Sequence, residues 1–106
     1  TQQDVDLFAR ARTEADCDKL AANLRQTFGA EITMPDAALR DFTRQAVQRL
    51  TALGFRQRDT LSVMLAWEVF FGPHFEKMDP DLTHILHSDR DEAERFEALK
   101  DRMARL

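Results

Sequence analysis

The sequence contains no tyrosine, one cysteine, three glycines and three prolines in 106 residues. So few helix-interrupting residues, among many Ala, Leu, Arg and Glu, argue against a turn-rich fold and favour an all-α protein. The single cysteine, Cys17, excludes an internal disulfide, which is typical of a reducing compartment and predicts a cytoplasmic location. The length predicts one domain over residues 1–106, large enough to bury a core without cross-links.

A basic surplus and long apolar runs are also missing. Lys and Arg number 15 against 19 Asp and Glu, a formal net charge of −4, and no basic cluster is free of acids. We therefore expect no binding to nucleic acid or to an anionic membrane surface. No stretch approaches the ~18 apolar residues that span a membrane, and no signal peptide is visible. The partner that remains is another protein or a second copy of the chain.

Patterns for catalysis and for cofactors are missing too. No catalytic Ser-His-Asp arrangement can be argued, and there is no glycine-rich phosphate loop, no HExxH and no cysteine pair. Because no nucleophile can be placed beside a base, we predict that the chain is not an enzyme and holds no cofactor. Cys17 lies on the apolar side of a helical pattern, which favours a buried small side chain over a reactive thiol.

Apolar residues at helical spacing predict a compact bundle of four to six helices joined by short turns. The first helical region covers about residues 4–28 and ends at Gly29, and residues 1–30 could form a partly independent helical arm. The second helix ends at Gly54, where Phe55 can fold back onto Leu50 in a Schellman motif.

The third helix, about residues 60–71, is apolar on almost every side. Such a helix is buried all round or meets a partner with its extra face, so we expect it at the centre of the bundle. Its one acid, Glu68, is predicted to lie on a narrow exposed edge or to pair with Arg56 or Arg58. The alternative is a buried carboxyl group able to act as a general acid or base.

The stretch VFFGPHFEKMDP, residues 69–80, combines a helix end with a helix start. Gly72 can take the left-handed conformation that ends a helix, and Pro73 cannot continue it. Asp79 is placed to cap the next helix, with Pro80 at its first position. The residues between these signals form a short connection, from which Phe75 and Met78 would cover the core.

Large apolar side chains are more frequent around this stretch than a small bundle needs. Those that stay exposed would form a patch, which in soluble proteins usually contacts a partner. Burial of each of them in the core is the alternative for any single residue. The residues predicted to form this protein-binding surface are Trp67, Phe70, Phe71, His74 and Phe75.

His84 and His87 lie three residues apart and so share one helix face. Histidines near carboxylates are common metal ligands. This set lacks the spacing of any specific metal motif, so we predict no metal, and a metal-binding protein or enzyme that uses these two histidines is kept as an alternative.

Two segments resemble a group of known proteins: LGFRQRDTLSVML, residues 53–65, and FFGPHFEKMDP, residues 70–80. With the Leu/Ile helix and the charged last helix that follow, they resemble small helical proteins encoded beside type VI secretion components, near spike, adaptor and effector genes. The similarity covers Phe42 to Leu106. It implies an accessory role, in which the protein binds an effector or adaptor before loading onto the secretion spike, and it implies no catalytic residues.

The leading prediction is therefore a small cytoplasmic protein-binding module, interpreted as a type VI secretion accessory protein or an effector co-chaperone or adaptor. One alternative is an immunity protein that binds a toxin, since an acidic chain complements a basic nuclease. A helical oligomer whose apolar face meets its own copy is another.

Overall fold

The computed structural model describes residues 16–106, and all regular structure in this range is helical. The α-helices are α1 (residues 16–28), α2 (Asp36–Ala52), α3 (Arg58–Phe71), α4 (Pro80–Leu86) and α5 (Glu92–Arg105). Two short 3₁₀ helices, Gly29–Glu31 and Phe75–Met78, lie in the connections. The prediction of an all-α fold with four to six helices is confirmed. None of the described helices is both long and apolar enough to cross a membrane.

Contacts within the chain divide it into two units, Thr1–Val47 and Gln48–Leu106. The boundary falls inside α2, so this helix supplies residues to both units. The predictions of one domain and of a partly independent segment at residues 1–30 stay predictions. The start of the predicted first helix, near residue 4, lies outside the described residues.

In the first unit, α1 buries a stripe of apolar side chains at helical spacing. Cys17, Leu20 and Leu24 are all buried. This is the apolar face that the spacing predicted, with the thiol of Cys17 packed as a small hydrophobic group. The helix ends at residue 28, and Gly29 follows with φ +53°, as the sequence predicted.

Arg25 holds the connection between α1 and α2. Its guanidinium donates to the carbonyl oxygens of Gly29, Ile32 and Met34, and its Nε lies 2.7 Å from Oδ1 of Asp36. One side chain thus satisfies carbonyl groups that the end of α1 and the turn leave without helical partners.

In the second unit, α2 ends in the predicted Schellman motif. The N–H of Phe55 donates to the carbonyl of Leu50 at 3.0 Å, and that of Gly54 donates to Thr51 at 3.0 Å. Gly54 has φ +100°, which glycine adopts without a steric penalty. The ring of Phe55 is fully buried, so the turn also adds a core residue.

Helix α3 buries one face only. Its buried residues include Leu61, Met64 and Leu65, whereas Val63 and Phe71 are exposed. Of the two alternatives for this apolar helix, burial on all sides is therefore wrong, and an apolar face is left exposed. A continuous apolar run does not show which side of a helix its neighbours cover, and here they cover a single stripe.

The connection after α3 differs in detail from the prediction. Gly72 does end the helix, but its φ +97° and ψ 160° lie in a region open essentially to glycine alone and outside the left-handed helical region. The left-handed residue is His74, with φ 60° and ψ 51°. Pro73 lies between them in the turn, so the chain leaves α3 by two unusual backbone conformations.

Asp79 and Pro80 start α4 at the predicted positions, with Pro80 in the first turn. The side chain of Asp79 makes no capping hydrogen bond, however, which corrects the predicted role. It instead accepts from Arg102 of α5, with Nε–Oδ2 at 2.7 Å and Nη2–Oδ1 at 3.0 Å. A bidentate pair to arginine is the stronger interaction, and the backbone N–H groups of Asp81 and Leu82 contribute less to the lowered pKa of this carboxyl group.

Helix α5 is held to the rest of the unit by Arg95. This buried arginine donates to the carbonyls of Leu53 at 2.7 Å and Leu86 at 3.0 Å, at the C-terminal ends of α2 and α4. Its guanidinium also lies 4.2 Å from the ring centroid of Phe55. A cation is favourable at helix C-termini and over an aromatic face, so one residue ties three helices together.

Candidate functional site

The five residues of the predicted protein-binding surface do not share one environment. Phe75 is completely buried, so its assignment to an exposed patch is wrong. Trp67 is half-buried, and its ring centroid lies 5.3 Å from that of Phe75 and 6.2 Å from that of Phe96. Aromatic pairs at these separations stabilise a core, so Trp67 and Phe75 support the site from beneath.

Most of the exposed large apolar residues of the second unit lie on α3 and on the turn that follows, and Leu106 lies at the end of α5. Phe71 is 54% exposed, and Val63 and Phe70 are also exposed. Met78 is 46% exposed, so the expectation that it covers the core is wrong. Side chains of this size are usually covered in a soluble protein, and exposed apolar groups close in the chain indicate a contact surface. We call Val63, Phe70, Phe71 and Met78 the apolar surface.

Beneath this region lies a buried cluster of charge. Glu68 of α3 is 1% exposed and Glu76 of the 3₁₀ turn is 4% exposed. Arg49 of α2 pairs with both carboxylates, and its Nη1 lies 2.8 Å from Oε1 of Glu76. Glu68 was predicted to lie on an exposed edge or to pair with Arg56 or Arg58. It lies instead inside the unit and pairs with Arg49 of another helix.

One arginine serves two carboxylates in this cluster. Oε2 of Glu68 and Oε2 of Glu76 have no hydrogen-bond partner among the described residues. A buried carboxylate without full partners costs free energy, so the cluster adds less to stability than its ion pairs alone would indicate. It fixes the position of the 3₁₀ turn, since Glu76 and Phe75 are neighbours in that turn.

Arg49 and Glu76 were missed by sequence reasoning for different reasons. Arg49 lies three residues after Ala46 and four before Leu53, so helical spacing places it at the edge of the apolar stripe of α2. That position was a usable signal for a buried arginine. Glu76 follows two unusual backbone turns, and no periodic pattern shows which way a residue there points.

A groove of about 380 Å³ opens at the surface of the second unit above this cluster. His74 and His87 line it from the turn and from the end of α4, and Nδ1 of His74 lies 3.6 Å from Oε1 of Glu76. Thr83 fixes the turn on α4, because its hydroxyl donates to the carbonyl of Glu76 at 2.8 Å. The remaining lining residues are Arg49, Ala52, Leu53 and Lys77.

The two histidines singled out as a metal alternative are not equivalent. His87 is the residue that ends α4 and lines the groove, whereas His84, one turn earlier, does not. Among residues 16–106, no three His, Cys, Asp or Glu side chains are placed to hold a metal ion.

The first unit carries a groove of its own, of about 400 Å³, between α1 and α2. The small side chains of Ala21 and Ala22 form its floor, and Arg25 and Asp36 line its edge. These two charges already pair with each other, so they leave little for a ligand to recognise.

The chain matches no protein-family model, and no curated protein or solved structure is significantly similar to it. The resemblance to proteins encoded beside type VI secretion genes therefore stays a prediction. What the geometry offers is a set of exposed apolar side chains on α3 and the following turn, and a groove that the same turn helps to line.

Proposed function

We propose that this chain is a small protein-binding module whose contact surface is the apolar surface of α3 and the following turn. One observation carries the proposal: Phe71 and Met78 are exposed by about half although both are large and apolar. Covering such side chains with a partner gains roughly 25 cal/mol for each Å² of apolar surface removed from water.

The support beneath these residues favours binding. Phe75 is fully buried under the turn that carries Met78, and Glu76 of the same turn is held by Arg49. A side chain presented from a fixed turn loses little conformational entropy on binding, which strengthens a contact of given area. Phe71, the last residue of α3, adds an aromatic side chain, a type that is enriched in the cores of protein interfaces.

The specific form of the proposal follows the resemblance: a type VI secretion accessory protein that binds an effector or an adaptor. Neutralisation of a toxin is the alternative, and it would use the same surface. The identity of the partner separates the two, since a toxin, unlike an adaptor, loses its activity when it is bound. Nothing in residues 16–106 favours the metal alternative.

A capture experiment with matched variants tests the proposal. The tagged chain, Phe71→Glu and Leu106→Glu are used in parallel to capture proteins from the native host, and bound proteins are identified by mass spectrometry. Leu106 is also apolar and exposed, but it lies at the end of the chain. We expect a stoichiometric partner with the wild type and with Leu106→Glu, and its loss with Phe71→Glu.

Circular dichroism of the variants separates lost contact from lost fold. Phe71→Glu should keep the helicity and melting temperature of the wild type, because the side chain is exposed. A partner that is captured equally well by all three proteins would contradict the proposal.

A further inference from the structure

The charges that solvent can reach in the groove of the second unit are positive. The side chain of Glu76 is 6% exposed and that of Glu68 lies still deeper. Arg49 is 23% exposed, and His74, Lys77 and His87 are exposed at the rim. A group that enters the groove therefore meets a cation and imidazole donors, while the acids are sealed below it.

Lys77 is the more exposed of the two cations that line the groove. Arg49 is committed to two carboxylates. Lys77 pairs with no carboxylate of residues 16–106, although it lines the same groove. An exposed cation beside a concave surface attracts an anion, and the low dielectric constant of the groove walls strengthens that attraction.

We infer that this groove binds a carboxylate, presented by an acidic side chain of the partner protein. The inference rests on the proposed function and names the chemistry of the partner beside the apolar surface. Lys77 would pair with the carboxylate, and the imidazoles of His74 and His87 would donate to it. Ala52 and Leu53 form an apolar part of the groove wall, against which the methylene groups of a glutamate side chain can pack.

A single negative charge fits the groove better than a phosphate. Arg49 faces two buried carboxylates, so the surroundings of Lys77 already carry negative charge, and a phosphate with close to two charges is repelled more strongly than a carboxylate. The groove also adjoins His87 at the C-terminal end of α4, and the partial negative charge of a helix C-terminus opposes a dianion more strongly than a monoanion.

An NMR titration of the full chain tests this without the partner. The probes are N-acetyl-glutamate α-amide, its neutral match N-acetyl-glutamine α-amide, and inorganic phosphate. We expect saturable shifts of the backbone amides of Lys77, Thr83 and His87 with the glutamate probe, and none with the glutamine probe. Loss of one charged hydrogen bond in Lys77→Gln should weaken binding by about tenfold.

His84→Gln is the matched control, since His84 lies on the same helix but not in the groove, and its affinity should equal that of the wild type. Equal response to both amide probes, or equal affinity in Lys77→Gln, would overturn the inference. Saturable binding of phosphate without binding of the glutamate probe would overturn the assignment to carboxylate. None of these results would change the outcome of the capture experiment with Phe71→Glu. A failure of the carboxylate inference is therefore distinct from a failure of the proposed function.

Discussion

Glu68 shows what a single residue can and cannot reveal before a structure is known. It is the one carboxylate in the apolar run of α3, and that contrast marks it as unusual. Its environment depends on Arg49, which lies 19 positions earlier on another helix. The sequence therefore marked Glu68 as unusual, but the prediction that it pairs with Arg56 or Arg58 was wrong, because pairing between helices depends on how they pack.

Arg49 should be the most sensitive charged residue of the second unit. In Arg49→Met the two carboxylates stay buried without a cation, so we expect a loss of about 3–5 kcal/mol in the free energy of unfolding. The measurement is chemical denaturation at neutral pH.

Glu68→Gln is the matched control for Arg49→Met, because it removes one of the two acids and leaves the cation with Glu76. Glu68→Gln should lower the free energy of unfolding clearly less than Arg49→Met does. The double variant Arg49→Met/Glu68→Met should recover part of the stability lost in Arg49→Met. Equal costs for the two single variants would show that Arg49 does not serve both acids.

Gly54 combines backbone strain with crowding. A Cβ at this position would lie 2.7 Å from Nη2 of Arg95, whereas at Gly72 it would meet no atom within 4 Å. Both glycines have φ near +100°. We expect Gly54→Ala to lower the free energy of unfolding by roughly 1–3 kcal/mol from strain, plus the cost of shifting Arg95.

Gly54→Ala in an Arg95→Ala background serves as the reference, since it carries the strain without the contact. Thermal unfolding measures the loss caused by Gly54→Ala in both backgrounds. An equal loss with and without Arg95 would contradict the role assigned to Arg95.

At the scale of elements, local signals predicted the helix boundaries well. The Schellman end of α2, the glycine stop after α3 and the proline start of α4 each depend on a few adjacent residues. The side-chain partners were not predictable in the same way. The sequence around Asp79 is typical of a helix cap, yet its carboxylate accepts hydrogen bonds from Arg102, 23 positions later.

The link between α4 and α5 should make stability depend on pH in acid. The hydrogen bonds from Arg102 lower the pKa of Asp79 below its ordinary value of 3.8, against the opposing effect of desolvation. A carboxyl group with a lowered pKa stabilises the fold at pH values above its unfolded pKa. That contribution is lost as the pH falls through the folded-state pKa.

Asp79→Asn keeps the size of the side chain and removes its titration. We expect its melting temperature to lie below that of the wild type at neutral pH, and the two to converge as the pH falls below about 3.8. Melting curves between neutral pH and strong acid measure this difference. A constant gap across that range would show that the Asp79 charge adds nothing to the link.

At the scale of the whole molecule, composition alone predicted the all-α class. Few glycines and prolines and many helix formers leave little room for another fold. The candidate site was predictable only in part. Phe71 was named and is exposed, whereas Phe75 was named and is buried, since spacing along one connection does not show which side chain turns inward.

The groove could not be predicted from the sequence. Its lining comes from the end of α2, the turn after α3 and the end of α4, and these segments meet only when the second unit is folded. His87 was singled out for metal binding with His84, but only His87 reaches the groove.

The affinity of the captured partner for purified wild type and variants is the measurement that tests the central claim most directly. Isothermal titration calorimetry would compare the wild type, Phe71→Ala and Leu106→Ala. Truncation of an interface anchor costs at least about 2 kcal/mol, so we predict a weakening of some thirtyfold for Phe71→Ala and none for Leu106→Ala. Equal affinities for the three proteins would show that the partner binds elsewhere and would contradict the proposed function.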